Sequence, residues 1–177
     1  MIETDRLILR PWREEDRSAF VRIINTPAMM ADFGGVRTAA QIDRLFDKRV
    51  ADQARHGHSF WAVELREEAE LIGSCGVRVA HDYPDTPVHR MRELGWRIAE
   101  THWRQGYARE AAQAAIAWSW ANTDDQRLAA WTTPDNYRSW RLMERLGMTR
   151  RGDLGFIDPD GSSPDIELFV YALERSS

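Results

Sequence analysis

The sequence predicts a mixed α/β protein in which helices pack on a single sheet. Two observations carry this prediction: strand-like and helix-like segments alternate along the chain, and a glycine turn joins a strand to a helix in its middle. The composition, 43% hydrophobic and 29% charged, is ordinary for a globular protein. A chain of 177 residues can bury a real core, and we expect one domain over residues 1–177.

The spacing of apolar residues places the individual elements, because alternation is typical of strands and a 3.6-residue period is typical of helices. The strands predicted in this way are residues 6–10, 59–65, 71–79, 92–98, 128–132, 149–156 and 166–173. The predicted helices are residues 13–25, 38–55, 109–122 and 136–146. An Asp-Gly pair at 160–161 predicts a hairpin turn before the last strand. The order β-α-α-β-β-β-α-β-α-β-β describes one mixed sheet with helices against it.

The charge and hydropathy of the chain argue against two classes of partner. The net charge of −4 disfavours a nucleic-acid binder, whose affinity depends on clustered positive charge. No apolar run approaches the ~20 residues of a membrane span, and the N-terminus lacks the apolar segment of a signal peptide. We therefore expect no nucleic acid or membrane partner and a cytoplasmic location. Arginine supplies every basic residue except Lys48, which can equally reflect genomic composition.

The cysteine and histidines do not predict a metal or redox site. Cys75 is the single cysteine, so no internal disulfide can form, and its apolar strand predicts an inert core residue. His81, His89 and His102 show no metal-like spacing with one another or with Cys75, so we expect no metal.

Residues 103–111 (Trp-Arg-Gln-Gly-Tyr-Ala-Arg-Glu-Ala) form the most informative segment. A glycine turn between a strand and a helix allows backbone N–H groups to converge on a phosphate, helped by the helix dipole. The alternative is an ordinary tight turn. A nucleotide-binding domain is disfavoured because neither Gly-x-Gly-x-x-Gly nor Gly-Lys-Ser/Thr occurs.

Four local motifs, in the right order, carry a resemblance to a known family. They are residues 3–12 (Glu-Thr-Asp-Arg-Leu-Ile-Leu-Arg-Pro-Trp), 71–76 (Leu-Ile-Gly-Ser-Cys-Gly), 93–96 (Glu-Leu-Gly-Trp) followed by 103–111, and 136–139 (Asn-Tyr-Arg-Ser) with 144–147 (Glu-Arg-Leu-Gly). From Met1 to about Leu173 the chain resembles the GNAT acyltransferases, and specifically the RimJ/RimL-type N-acetyltransferases. The resemblance implies a twisted, mostly antiparallel mixed sheet of about six or seven strands, flanked by about four helices.

The resemblance also implies acetyl-CoA as the acyl donor, with its pyrophosphate on the turn from Gln105 to Ala108. Gly106 suits the backbone of such a turn, and Ala108 keeps the side chain small near the phosphates. Many family members carry Gln or Arg where this chain has Trp103, and glycine where it has Arg104. The cofactor-binding residues implied are Trp96, Ile98, Arg104, Gln105, Gly106, Tyr107, Ala108, Arg109 and Asn136.

Two residues are candidates for the chemistry. Glu93 lies on the strand before the turn and is the candidate base for the amine. The alternative is a solvated carboxylate that pairs with Arg92 or Arg97. The late-helix tyrosine that many family members use as an acid is absent, because Met143 occupies its position. Ser139, one helical turn earlier, is the substitute that the resemblance implies, and its alternative is a small residue at a helix packing point.

Asn136 has two compatible roles in the same helix. Asparagine is a favoured N-cap, and by the family pattern its side chain also contacts the pantetheine arm or the phosphates. Trp118 and Trp120 cannot share one helical face, so one of them can line a groove or a homodimer contact.

The acceptor implied by the resemblance is a primary amine, either a protein N-terminus or a small molecule such as a polyamine or an aminoglycoside. Acidic residues in the predicted acceptor walls can attract a cationic amine, although such residues are more often plain surface. These residues are Asp16, Asp32, Asp43, Asp82 and Asp85. The main alternative to an enzyme is a non-catalytic acyl-CoA-binding sensor or scaffold.

Overall fold

The computed structural model describes residues 1–158 and 165–175, which form nine strands and five helices. The strands are β1 (Ile2–Glu3), β2 (Leu7–Arg10), β3 (Phe60–Leu65), β4 (Leu71–Val79), β5 (Arg92–Ile98), β6 (Arg127–Thr132), β7 (Thr149–Arg150), β8 (Phe156–Ile157) and β9 (Glu167–Glu174). The helices are α1 (Arg17–Ile24), α2 (Pro27–Met30), α3 (Ala39–His56), α4 (Tyr107–Asn122) and α5 (Tyr137–Arg145). None of these helices is both long enough and apolar enough to span a bilayer.

The strands form one mixed sheet in the order β1-β2-β3-β4-β5-β6-β9-β7, with β8 paired to β9. Every neighbouring pair is antiparallel except β5 and β6. Those two strands are parallel and share a single paired position, Glu93 with Ala129. The ladder between them therefore ends beside Glu93, and the rest of β5 borders a gap in the sheet. This confirms the predicted mixed and mostly antiparallel sheet.

Helices cover both faces of the sheet, and the residues of β3 show which helix covers which face. Trp61 and Val63 join a core cluster that includes the fully buried Ala111 and Ala115 of α4. Ala62 points the other way and packs into a second cluster of α1 and α3 side chains. The small alanines of α4 allow that helix to lie close against the strands, while α3 covers the face that carries the larger cavity described below.

Several predicted boundaries are corrected by the structure. The strand predicted over 149–156 is wrong, because the chain leaves the sheet after Arg150 and makes a 3₁₀ turn at Gly152–Leu154. The chain returns close to the Glu167 side chain at Gly155, where a Cβ would require the Glu167 carboxylate to move. The predicted hairpin turn at 160–161 lies outside the described residues.

The element counts also differ from the expected six or seven strands and four helices. The additional strands β1, β7 and β8 have two residues each, too short to show any periodicity. The additional helix α2 has one turn, and it begins with an N-cap at Thr26 and proline at its first position. Helix α4 starts at Tyr107 rather than at residue 109, because Gly106 takes the N-cap position.

Candidate active site

Two cavities meet beside the gap between β5 and β6. The first, here called the arginine cleft, has a volume of about 420 Å³ and lies between the turn that precedes α4 and the side of α5. The second, here called the large cavity, has a volume of about 690 Å³ and lies between α3, β4 and β5. Residues that line both mark the junction: Asp32, Phe33, Trp96, Arg97 and Ser139.

The turn before α4 has an unusual backbone conformation. Gly106 has a φ of +86°, and Arg104, two residues earlier, has a φ of +62°. Both values lie in the left-handed region, which glycine adopts without the steric cost of a Cβ. Turns of this kind can direct successive N–H groups towards one anion, here at the N-terminus of α4. Glycine, which the family resemblance implies at the position of Arg104, would adopt this conformation without that cost.

The N-terminal segment of the chain holds this turn in place. Arg6 donates from Nη1 to the carbonyl oxygen of Gln105 at 3.0 Å and forms a 2.6 Å ion pair with Glu110 in the first turn of α4. The Thr4 hydroxyl donates to the same carboxylate at 2.7 Å. Burial opposes ionisation of Glu110, but the hydrogen bonds from Thr4 and Arg6 outweigh it and lower the pKa of Glu110. The segment just before β2 therefore holds the turn through the Glu110 carboxylate and the Gln105 carbonyl oxygen.

Trp103, where the chain departs from the family pattern, anchors the other side of the turn. Its indole Nε1 donates to the carbonyl oxygen of Ile98, the last residue of β5, at 2.6 Å. The guanidinium of Arg138 lies 4.8 Å from the centroid of its ring. One side chain thus connects β5, the turn and α5. Such connections fix the relative position of the three elements that line the arginine cleft.

The arginine cleft carries the charge that a polyphosphate requires. Six arginines line it against one carboxylate, Asp32, among the residues that the structure describes. The six are Arg97, Arg104, Arg109, Arg138, Arg141 and Arg145. Guanidinium groups bind phosphates through paired hydrogen bonds, so the cleft suits the pyrophosphate and 3′-phosphate of CoA. The residues present therefore fit this co-substrate.

The predicted cofactor-binding residues, with one exception, lie along the arginine cleft. Gln105 does not line it, because its side chain turns away and donates to the carbonyl oxygen of Thr101 at 3.1 Å. Sequence reasoning missed the three arginines that α5 contributes. The signal available for them was their density, three arginines in a helix of nine residues.

Glu93 lies on the wall of the large cavity, at the end of the β5–β6 ladder. Its carboxylate forms a 2.6 Å ion pair with Arg78, its cross-strand neighbour on β4. The alternative pairing with Arg92 is wrong, because Arg92 binds Asp125 at 2.6 Å instead. Only 13% of the Glu93 side chain is exposed, so it is not a solvated strand-end carboxylate. Arg78 holds the carboxylate in place.

Ser139 lies at the junction of the two cavities, opposite β5. Asn136 caps α5, and its Oδ1 accepts a hydrogen bond from the Ser139 backbone N–H at 3.2 Å. The cap predicted for Asn136 is confirmed, and it fixes the first turn that presents the serine. Met143, at the position of the absent tyrosine, is 1% exposed and lines the large cavity.

Two further expectations can be compared with the structure. Cys75 is fully buried, and burial raises the pKa of its thiol, which confirms an inert core residue. Only two of the five aspartates expected to attract a cationic amine, Asp32 and Asp82, line the large cavity. Asp16 instead forms a buried ion pair with Arg10.

A sheet that opens beside a glycine turn and an arginine-lined cleft, next to a second cavity, has the arrangement expected of the class of CoA-dependent acyltransferases. The sequence profile of the family described as acetyltransferase (GNAT) domain matches residues 6–149. The chain therefore belongs to the GNAT acetyltransferase family and is an acetyl-CoA-dependent acyltransferase.

Similar proteins agree with this assignment over nearly the whole chain. The uncharacterized Bacillus subtilis protein YkkB is 30% identical over 82% of this chain and 83% of its own. The uncharacterized N-acetyltransferase YoaA of the same organism is 27% identical over 99% of this chain and 98% of its own. The crystal structure of an acetyltransferase from Agrobacterium tumefaciens superposes with a TM-score of 0.82 at 29% identity, covering 98% of this chain and 94% of that one.

Proposed function

We propose that this protein transfers the acetyl group of acetyl-CoA to a primary amine by direct attack in a ternary complex. The observation that carries the proposal is the junction of the two cavities, where Trp96 and Ser139 line both and Glu93 lies on the acceptor side. The acceptor is a small-molecule amine or a protein N-terminus, and the RimJ/RimL-type branch is part of the proposal. It is supported by a fold shared with a ribosomal-protein alanine acetyltransferase of Vibrio fischeri, at 14% identity and a TM-score of 0.76.

The residues at the junction supply the groups that acetyl transfer needs. Acetyl-CoA brings a thioester, which is an activated acyl group. Glu93 accepts the proton of the attacking amine, directly or through water. Beyond Glu93, the side of β5 that faces β6 has no strand partner, and backbone N–H groups on that side can polarise the thioester carbonyl. The Ser139 hydroxyl protonates the departing sulfur.

Further residues position acetyl-CoA and the acceptor amine relative to each other. The arginines of the cleft bind the phosphates, and the turn at Gly106 presents its N–H groups to them. Asn136 fixes the backbone at Ser139, and Arg78 fixes Glu93. These contacts leave the reacting groups little freedom to move, which is how positioning lowers an entropic barrier.

The test is thiol release from acetyl-CoA across peptides, polyamines, aminoglycosides and amino acids. Glu93→Gln, which keeps the shape of the side chain, is expected to lower kcat by about 100- to 10,000-fold, as for loss of a general base. Ser139→Ala is expected to lower kcat by about tenfold, because thiolate is a fair leaving group without an acid. The matched controls are Glu67→Gln and Ser18→Ala, which change exposed residues outside both cavities.

Two results would contradict the proposal. If none of the amines causes thiol release although CoA binds tightly, the result would favour a sensor or scaffold. Full activity of both Glu93→Gln and Ser139→Ala would be compatible with acetyl transfer, but it would show that neither residue has the catalytic role proposed here.

A further inference from the structure

The large cavity has an excess of positive charge. Among the described residues that line it, six are basic and four are acidic. The basic residues are Arg37, Arg44, Lys48, Arg49, Arg78 and Arg97, and the acidic residues are Asp32, Asp82, Glu93 and Asp158. The whole chain has a net charge of −4, so the excess is local to this cavity. A cavity of this sign raises the local concentration of anions and disfavours polycations.

Among the described residues, the ion pairs inside the cavity leave Arg49 and Arg97 without a carboxylate partner, and Arg49 is the more deeply buried of the two. Asp82 binds both Lys48 and Arg78, and Glu93 binds Arg78. Arg49, on α3, forms no ion pair within residues 1–158 and 165–175 and is only 6% exposed. Its Nε also has no hydrogen-bond partner there. A buried and unpaired guanidinium is costly, and such groups are usually paired or part of a binding site.

The surroundings of Arg49 stabilise its position but do not neutralise its charge. Its guanidinium lies 4.2 Å from the centroid of the Phe60 ring, and that of Arg78 lies 5.4 Å from the same centroid. Burial, together with the positive charges of Arg78 and Arg97, lowers the pKa of Arg49 to about 9. The group therefore remains charged at neutral pH, beside two other cations. An anion bound among them would relieve this repulsion.

Two further polar side chains on the same wall also have unused donors. Ser74 is 4% exposed and Arg78 is 6% exposed, and both lie on β4 and line the large cavity. The Ser74 hydroxyl and the Arg78 Nε have no hydrogen-bond partner among the described residues. The unsatisfied atoms of Arg49, Ser74 and Arg78 can all donate, which is the requirement for an oxyanion ligand.

We infer that the acceptor is a small amine that also carries a carboxylate or a phosphonate-like oxyanion, which Arg49 and Ser74 bind while Glu93 faces the amine. This inference rests on the proposed function of the same site. The volume of about 690 Å³ is that of a small-molecule site. A carboxylate held by Arg78 next to an unpaired Arg49 provides one negative and one positive partner, which matches an amine and an anion on one molecule. This replaces the expectation of a cationic acceptor.

The experiment compares acceptors that differ only in charge. Glycine, β-alanine and γ-aminobutyrate are each measured against their own amides, so that the amine and the chain length stay the same. Aminoalkyl phosphonates of the same lengths separate carboxylate from phosphonate recognition, and spermidine represents polycations. We expect kcat/KM for the best carboxylate or phosphonate to exceed that of its neutral counterpart by about 10- to 100-fold.

Substitutions test whether Arg49 is responsible. Arg49→Gln is expected to remove most of this preference, because it raises KM for the anionic amines more than for their amides. Arg55→Gln removes the same charge from the exposed side of the same helix, outside both cavities. It is expected to leave kcat/KM unchanged for the anionic amines and for their amides. Because the Arg49 guanidinium has no ion pair to lose, Arg49→Gln is expected to fold with an unchanged or higher Tm. Circular dichroism and thermal unfolding check this point.

Calorimetric binding of the same probes in the presence of CoA separates the proposed anion site from the proposed acetyl transfer. Anionic probes that bind, and that Arg49→Gln no longer binds, support the anion site even if no amine is acetylated. Efficient acetylation of amides or spermidine in preference to the anionic amines would overturn the anion site and leave the proposed function intact. Absence of both turnover and anion binding would overturn the inference together with the proposed function.

Discussion

Substitution of Gly106 by alanine tests whether the left-handed turn before α4 contributes to CoA binding. Substitutions of glycines elsewhere in the chain show the effect of losing a glycine on stability alone. At a φ of +86° an L-residue pays about 1–2 kcal/mol of steric strain. The lack of space adds little to this strain, because the atom nearest to the new Cβ would be Nη2 of the flexible Arg6 side chain at 3.3 Å, which needs to move by only a few tenths of an ångström. This strain must lower either the stability of the fold or the affinity for CoA. If the turn keeps its conformation, the free energy of unfolding falls by that amount. If the free turn relaxes, CoA binding must restore it, and Kd rises by about 5- to 30-fold.

Gly147 provides a matched control. It has a φ of +83°, and a Cβ there would meet its nearest neighbour, a Leu173 methyl group, at an ordinary 3.8 Å. Gly147→Ala therefore carries a similar strain outside the arginine cleft, and it should lower Tm by about 2–8 °C without changing CoA affinity. Gly152→Ala, without a positive φ and with open space around it, should change neither quantity.

Thermal unfolding with and without CoA, and titration calorimetry with CoA, measure both quantities for the three variants. A Gly106→Ala variant with unchanged stability and unchanged CoA affinity would refute the assignment of strain to this turn. A Gly147→Ala variant that weakened CoA binding as much as Gly106→Ala would refute the specific role of the turn in holding CoA.

Two further predictions concern the buried ion pair of β2 and the anchor of the turn. Burial opposes ionisation of Asp16, but hydrogen bonds from Arg10 and the Arg13 backbone outweigh it and lower the pKa of its carboxyl. The pair stabilises the fold above the ordinary value of 3.8 and is lost as the pH falls below it. Asp16→Asn should cost about 2–4 kcal/mol in urea unfolding at pH 7, since Arg10 loses a buried partner, and the difference should shrink at pH 3. Trp103→Phe keeps the ring but loses the hydrogen bond to Ile98, so unfolding free energy should fall by about 0.5–1.5 kcal/mol and calorimetry should show weaker CoA binding.

Features that depend on neighbouring residues in the chain could be predicted from the sequence. The turn at Gly106 and the cap at Asn136 are local, because a glycine between strand and helix and an asparagine before a helix act within a few residues. The burial of Cys75 followed from its apolar strand. Where local signals were mixed, as over residues 149–156, glycines broke a strand that the apolar pattern alone predicted.

Features that depend on the register between distant elements could not be predicted. Arg78 pairs with Glu93 because the two residues lie opposite each other in the β4–β5 ladder, and the loop of residues 80–91 hides that register in the sequence. Arg49 reaches the same cavity only because α3 crosses that face of the sheet. The sequence shows α3 as an amphipathic helix, and nothing in its period indicates that one of its arginines is buried without a partner.

The tie between the first residues and the phosphate turn has a practical consequence for making this protein. Thr4 and Arg6 contact Glu110 and Gln105 from more than 95 residues away in the chain, so they support the turn that we propose binds CoA, although they precede the first long strand. An affinity tag fused directly before residue 4, or removal of the first residues, would disturb the contacts of Thr4 and Arg6 with Glu110 and Gln105. Expression with the tag at the other terminus, and protease mapping that checks for an intact start, should precede any measurement of donor affinity.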